Sequence, residues 1–352
     1  MLWLVIQQEK SNMEKIIIIA EAGVNHNGDL NIAKRLVDMA AESGADYVKF
    51  QTFKAEKLVS QIAKKAQYQI ENLRTSNDDT QFRMLKKLEL PHSWHHELIS
   101  YCKEKNIKFL STGFDEESVD FLVSLNLDFI KIPSGEITNK PFLEHVARKN
   151  KKVIYSTGMS TLDEVIACKN VLNEAGLLDE KITILQCNTE YPTPLKDVNL
   201  RVMKTLRDML NVTIGFSDHT EGIAIPIAAA ALGANVIEKH ITLDKSMEGP
   251  DHKASLDRIE LIQMVNSIRQ VEVALGDYQK FPTDSELKNV DIVRKSLHYK
   301  NELKRGHILC KSDFISLRPG SGISPMKIND LIGKTLLNDV LYSEIVKTFD
   351  FE

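Results

Sequence analysis

Short β-branched runs without alternation recur along the chain, each followed by apolar residues at helical spacing. Ile16–Ala20 is the first, and a run with no polar alternation suits a strand buried on both faces. An amphipathic stretch follows from Leu30 to Ser43, with Gly44 where a helix would stop. The cycle restarts at Asp46–Phe50 and repeats at Ile107–Ser111, Phe129–Pro133, Lys152–Ser156, Thr183–Cys187, Thr213–Phe216 and Val236–His240. Helical patterns such as Glu116–Leu125, Thr161–Glu174 and Ile223–Leu232 separate them. Regular alternation means parallel strands joined by right-handed crossovers. Eight such units predict a (β/α)₈ TIM barrel rather than an open doubly wound sheet.

The polar gap at 54–90 predicts an insertion over the barrel mouth. Met13 stands just before the first strand, so residues 1–12 read as an extension and 13–278 as the barrel. The charged, aperiodic stretch 279–291 reads as a linker. Residues 292–352 read as a small module of short strands and turns around Arg318–Pro325, of marginal size for independent stability.

Composition narrows the function classes. With 43% hydrophobic and 27% charged residues the chain is an ordinary globular protein. A net charge of -4 argues against a nucleic-acid surface or a membrane-binding basic face, yet leaves room for an anionic substrate held by a few focused lysines. No apolar run reaches transmembrane length, and Met1–Ile6 is too short for a signal core. The cysteines Cys102, Cys168, Cys187 and Cys310 show no C-x-x-C pair and read as buried thiols of a reducing, cytoplasmic compartment.

Barrel chemistry sits at the C-terminal strand ends. Those ends carry Glu21, Asn25 and His26, then Lys49 and Gln51, Thr112 and Phe114, and Lys131, Ser134 and Glu136. Later ends add Asn188, Thr189 and Tyr191, Ser217-Asp218-His219, Glu238-Lys239-His240 and, shortly beyond, Asp251. Any one of these has a bland reading as a solvated strand end. Lysines inside apolar strands are harder to dismiss, because a buried ammonium needs a partner. Lys49 and Lys131, with Thr112, Ser134 and Ser217, would cradle a phosphate and a carboxylate together. His219 and His240 end adjacent strands; they read either as two ligands of one divalent ion or as a hydrogen-bonded rim pair. His92, His95 and His96 open a helix after Pro91 and are not expected as ligands. No phosphate loop or dinucleotide fingerprint is present.

The motifs Ala20-Glu-Ala-Gly-Val-Asn-His-Asn-Gly28, Val48-Lys-Phe-Gln-Thr52, Lys131-Ile-Pro-Ser-Gly-Glu136, Phe216-Ser-Asp-His-Thr220, Ile237-Glu-Lys-His240 and Arg318-Pro-Gly320 follow in order. With Thr189-Glu-Tyr-Pro-Thr-Pro194 and Gly249-Pro-Asp-His252 they make the chain resemble the sialic acid synthases over nearly its whole length. The resemblance implies a barrel joined to a C-terminal antifreeze-like (SAF) domain in a domain-swapped homodimer. It implies Mn²⁺, or Mg²⁺ or Co²⁺, on His219 and His240. Phosphoenolpyruvate would lie on Lys49, Thr112, Lys131, Ser134, Thr189 and Ser217. Gln51, Asn77, Tyr191, Asp251 and an Arg318 supplied in trans would line the sugar side, with Glu136 beside the substrates. Glu21 would lie near the reacting carbons, and Glu21 or Asp251 would handle the attacking water. One motif departs from relatives: Ser111-Thr-Gly-Phe114 has Gly113 where proline is usual, which loosens that loop.

The implied reaction joins phosphoenolpyruvate to N-acetylmannosamine, giving N-acetylneuraminate and phosphate. The alternative sugar is 2,4-diacetamido-2,4,6-trideoxymannose, giving legionaminate. A Schiff-base aldolase using Lys49 or Lys131 is the enzymatic rival, and a carbohydrate- or ice-binding protein the non-catalytic one.

Overall fold

The computed structural model describes residues 15–73, 80–276 and 279–352. Eight parallel strands close into a barrel in chain order: β1 (Ile17–Gly23), β2 (Tyr47–Thr52), β3 (Lys108–Gly113), β4 (Phe129–Ile132), β5 (Lys152–Ser156), β6 (Ile182–Cys187), β7 (Thr213–Asp218) and β8 (Val236–His240). β8 pairs with β1 and completes the ring. Helix α1 (Leu30–Glu42) follows β1. Three short helices, α2 (Ala55–Leu58), α3 (Gln67–Leu73) and α4 (Gln81–Leu88), precede α5 (His92–Glu104) between β2 and β3. The outer ring continues with α6 (Glu116–Ser124), α7 (Lys140–Arg148), α8 (Leu162–Glu174), α9 (Val202–Leu210), α10 (Ala224–Ala231) and α11 (Arg258–Leu275).

Two apolar layers explain why the strand runs do not alternate. Ile19, Tyr47, Leu110, Ile154, Leu185 and Val236 fill the barrel interior. Their strand neighbours Ile18, Val48, Val153, Ile184 and Ile237 face the helices. Local signals set the helix ends. Asp29 caps α1 by accepting from the Asn31 and Ile32 N–H groups, and Gly44 leaves it at φ +79°. Thr161 and Glu164 form a capping box on α8.

The 54–90 insertion does cover the mouth at β1 to β3. Met84 and Leu88 pack with Val24 and Phe53, flanked by Leu58, Leu85 and Phe114. His95 on α5 is buried away from that mouth. Its Nδ1 lies 3.1 Å from the Pro91 carbonyl, its Nε2 2.7 Å from the Thr52 hydroxyl, and Thr52 reaches Ser111 at 2.7 Å. This histidine is a hydrogen-bonded core group, which agrees with excluding it as a ligand.

The second compact unit begins after Gly276. Its stretch 284–293 is a helix, α12 (Asp284–Val293), where the sequence predicts only a linker. The Glu286 carboxylate accepts from the Thr283 N–H at 2.9 Å, and no side chain of the helix is buried, so apolar residues such as Leu287, Val290 and Val293 mark no core face. Strands β9 (Ser296–Tyr299) and β10 (Phe314–Leu317) pair antiparallel. Leu297, Tyr299, Leu309, Phe314, Leu336 and Val346 form a separate small core. All four cysteines are free, but Cys310 is exposed, which corrects the expectation of four buried thiols. Among the described residues no helix is long and apolar enough to cross a membrane.

Candidate active site

A cavity of about 560 Å³ opens at the C-terminal end of the barrel strands. At its floor lie two lysines and two glutamates, all nearly inaccessible to solvent. Lys49 Nζ meets Glu21 Oε2 at 2.8 Å and donates to Thr112 Oγ1 at 2.8 Å. Glu238 sits between the two cations, 3.6 Å from Lys49 and 3.8 Å from Lys131. Lys131 also donates to Ser156 Oγ at 2.7 Å, and Ser217 donates to Glu238 Oε1 at 3.0 Å.

Burial and neighbouring charge set the protonation of this floor. Burial pushes Glu21 up to about 7, although Lys49 opposes it. For Lys49 burial disfavours the charge, yet the two carboxylates outweigh it and hold its pKa above the ordinary lysine value. Lys131 is pulled below the ordinary value by burial, which Glu238 only partly offsets. Glu238 is held below the usual carboxylate range: burial opposes this, but Lys131 and Lys49 win.

The wall made by β7 and β8 carries His219 and His240, ring centroids 5.2 Å apart. His219 Nδ1 faces the Asn188 carbonyl, which can only accept, so Nδ1 carries the proton and Nε2 keeps its lone pair. His240 Nδ1 is buried without a hydrogen-bond partner and lies 3.8 Å from Asp251 Oδ2. Burial holds His219 down to about 4 and His240 well below its ordinary value, so both are neutral. Burial raises Asp251 to about 7. Among the described residues no group of three or more His, Cys, Asp or Glu is arranged to hold a metal. His219 and His240 alone, as two neutral imidazoles, are a donor set that would suit a divalent ion only with oxygens of water or substrate in the remaining positions.

An aromatic and apolar wall closes another side. Tyr191 stacks on His219 at 4.0 Å, and Tyr68 from α3 stacks on Tyr191 at 5.0 Å. Asn72 pins α3 by donating to the Pro250 carbonyl at 2.7 Å. Leu58, Val59, Met84, Leu85 and Phe114 also line the cavity.

Two family models match this chain, the NeuB family over residues 36–280 and the SAF domain over residues 294–350. The chain belongs to the NeuB family. It is 52% identical to the N,N'-diacetyllegionaminic acid synthase of Campylobacter jejuni, over 95% of this chain and 100% of the relative. The synthase of the same name from Legionella pneumophila is 50% identical, over 91% of this chain and 90% of the relative. The crystal structure of the N-acetylneuraminic acid (sialic acid) synthetase from Leptospira borgpetersenii serovar Hardjo-bovis, in complex with citrate, aligns with a TM-score of 0.69. That alignment has 31% identity and covers 79% of this chain and 91% of that one. The resemblance read from the motifs therefore holds, and this NeuB family member is an enzyme of the sugar-acid synthase type.

Most residues expected in the NeuB site converge on the one cavity: Glu21, Lys49, Gln51, Thr112, Phe114, Lys131, Ser134, Thr189, Tyr191, Ser217, His219, His240 and Asp251 all line it. Gly113 fits its strand, because a Cβ there would stand 3.0 Å from Val119 Cγ2. Glu136 does not line the cavity; it sits in a one-turn helix after β4, where its carboxylate accepts from Asn139 at 2.6 Å. Asn77 lies outside the described residues. Arg318 belongs to the second unit, at the end of β10.

Asp218 and Lys239, counted with the polar strand ends, are absent from the lining, being on the opposite strand face from Ser217 and Glu238. Glu238, Ser156 and Tyr68 line the cavity without having been singled out for a role. Ser156 ends β5, so the strand-end rule was its available signal. Tyr68 sits in the insertion, where no strand position marks it. Gly158 keeps this floor compact: its N–H donates to Ser134 Oγ at 2.9 Å, and a Cβ would stand 2.5 Å from Thr189 Cγ2.

Proposed function

We propose that the chain condenses phosphoenolpyruvate with the open-chain aldehyde of an N-acylated hexosamine, releasing phosphate, and that 2,4-diacetamido-2,4,6-trideoxymannose is the sugar. The observation that carries this reading is a single cavity lined by two buried lysines and two buried neutral imidazoles. The lysines match a dianionic phosphate and a carboxylate on adjacent carbons.

Relatives named for legionaminic acid share half their residues with this chain, whereas the N-acetylneuraminic acid synthetase shares 31%. That supports the diacetamido sugar over the N-acetylmannosamine expected first from the motifs. The lining agrees. Leu58, Met84, Leu85 and Tyr68 suit a deoxy carbon and acetamido methyl groups. Among the described lining residues the only lysines or arginines are Lys49 and Lys131, so none is left to receive a phosphate on the sugar.

In this reading Lys49 and Lys131 hold the phosphoenolpyruvate charges, and Thr112, Ser134, Thr189 and Ser217 direct its oxygens. His219 and His240 would hold a divalent ion, Mn²⁺ first and Mg²⁺ or Co²⁺ as alternatives. Such an ion, when bound, supplies Lewis-acid polarisation of the aldehyde oxygen. Gln51, Tyr191 and Asp251 face the sugar and orient its carbonyl toward C3 of phosphoenolpyruvate. Carbon–carbon bond formation leaves positive character at C2, beside the Glu21 and Glu238 carboxylates. Water adds there, and Glu21, with a pKa near 7, accepts its proton. The tetrahedral product then expels phosphate by C–O cleavage.

A homodimer that exchanges its second units, placing Arg318 of one copy over the cavity of the other, belongs to the same proposal. Mixing an Arg318→Ala chain with a Lys131→Ala chain should restore activity; verified mixed dimers without recovery would exclude the exchange. A cytoplasmic setting suits the free thiols.

Phosphoenolpyruvate labelled with ¹⁸O at the bridging position tests the bond broken. Label in the released phosphate supports C–O cleavage, and label kept in the sugar acid contradicts it. The lowered pKa of Lys131 favours one rival, a Schiff-base aldolase. Borohydride with pyruvate would trap an imine on Lys131 only in that rival.

A further inference from the structure

Asp218 and Lys239 are both within 1% of full burial and form an ion pair at 2.6 Å. They are the last registered pair across β7 and β8, so each stands one residue before a proposed metal ligand, His219 or His240. Successive strand residues point to opposite faces, which puts this pair directly behind the two imidazoles rather than in the cavity. The Asp218 carboxylate also accepts from the N–H and the hydroxyl of Thr220, each at 3.0 Å. Lys239 donates in addition to the Thr220 carbonyl. The pair thus ties both strand ends and the turn after His219 into one hydrogen-bonded unit.

Stability alone does not explain such a pair. Desolvating two charges costs so much that well-packed apolar replacements are often as stable or more so. What an ion pair provides and an apolar contact does not is a defined distance and direction between two strands. Here that distance governs the spacing of two imidazoles whose backbones are already held, His240 accepting from the Leu256 N–H at 2.8 Å and His219 from the Thr193 N–H at 2.9 Å.

We propose that Asp218 and Lys239 are positioning residues that set the separation of His219 and His240 for one divalent cation. The inference rests on the two-histidine reading of the proposed function. It is tested on the full-length protein stripped of metal, by counting free Mn²⁺ with electron paramagnetic resonance during titration. The paired variant Asp218→Leu with Lys239→Met removes the ionic tie without stranding a charge, although it also removes partners of the buried Thr220, so its melting temperature is expected to fall less than that of Lys239→Met alone. Its Mn²⁺ affinity is expected to fall about 10–100-fold, the range for removing an outer partner of a ligand. Phosphoenolpyruvate binding, which uses the lysine floor, is expected to change less than about threefold. Lys239→Met alone, which strands a buried carboxylate, is expected to lower the melting temperature as well.

Unchanged Mn²⁺ affinity in the paired variant would overturn the positioning role. Equal losses of Mn²⁺ and phosphoenolpyruvate affinity would also overturn it, by showing a general collapse of the site. Should the paired variant not fold, Asp218→Asn, whose Oδ1 can still accept from the Thr220 N–H while the ionic tie to Lys239 is lost, replaces it under the same criteria. Wild-type protein that binds no Mn²⁺ would remove the two-histidine reading itself, a separate failure.

Discussion

The ring of Tyr191 lies over the imidazole of His219, centroids 4.0 Å apart and 29° from parallel. Tyr68 continues the stack from the insertion, at 5.0 Å and 27°. One proposed metal ligand is therefore held between the Asn188 carbonyl and a two-ring aromatic wall. The wall belongs to the proposed sugar side, away from the lysine floor. Tyr68→Ala is expected to raise KM for the sugar about tenfold, with a smaller change in KM for phosphoenolpyruvate. Steady-state kinetics with each substrate varied would show it, and an equal rise in both constants would count against a sugar-side wall.

Glu21 carries the most direct pH prediction. Its carboxyl is pushed up to about 7 by burial, so it becomes a proton acceptor only as pH rises through neutrality. The kcat/KM profile should rise between about pH 6 and 8. Glu21→Gln should lower the plateau at least about 100-fold, the low end for a general base, and flatten that limb. A limb that survives in the variant assigns it to another group.

The predicted strands match the observed ones closely, because apolar runs without alternation leave little choice of partner on either face. The strand ends were harder to read. In Ser217-Asp218-His219 and Glu238-Lys239-His240 every residue is polar, so no apolar phase marks which side chains face the cavity. Register decided it, sending Ser217, His219, Glu238 and His240 inward and the Asp218–Lys239 pair outward. Helix α12 escaped for a related reason: apolar residues such as Leu287, Val290 and Val293 stand among charged ones and bury no face, so the clearer signal was the Thr283…Glu286 capping box. Tyr68 lies in an insertion whose placement depends on long-range contacts such as Asn72 with Pro250.

The sugar is predicted from the lining. With no lysine or arginine among the described lining residues beyond Lys49 and Lys131, a hexosamine 6-phosphate should not turn over. N-acetylmannosamine should react with lower kcat/KM than the diacetamido sugar, by about tenfold or more for each apolar group it lacks. Competition between the sugars, followed by mass spectrometry of the acids formed, would measure the ratio. A preference for the phosphorylated sugar would refute this account of the wall.

His95 predicts an acid sensitivity unrelated to catalysis. Burial lowers it from about 6.5 to about 4. Because the folded value lies below the unfolded one, its contribution is fully present above pH 6.5 and is lost as pH falls toward 4. The full shift corresponds to about 3 kcal/mol at 1.36 kcal/mol per unit. Urea midpoints at pH 7 and pH 5 should differ less in His95→Gln than in the wild type. An unchanged difference would place the acid sensitivity elsewhere, for example at His26 or His252, which burial also lowers to about 4.

The most direct test of the central claim is phosphate release from phosphoenolpyruvate, with Mn²⁺ and the diacetamido sugar present. Release that requires the sugar, stops on chelation and is lost in His219→Ala and His240→Ala is the predicted result. Sugar-dependent release that persists in metal-stripped protein, or no release with any N-acylated hexosamine, would contradict it.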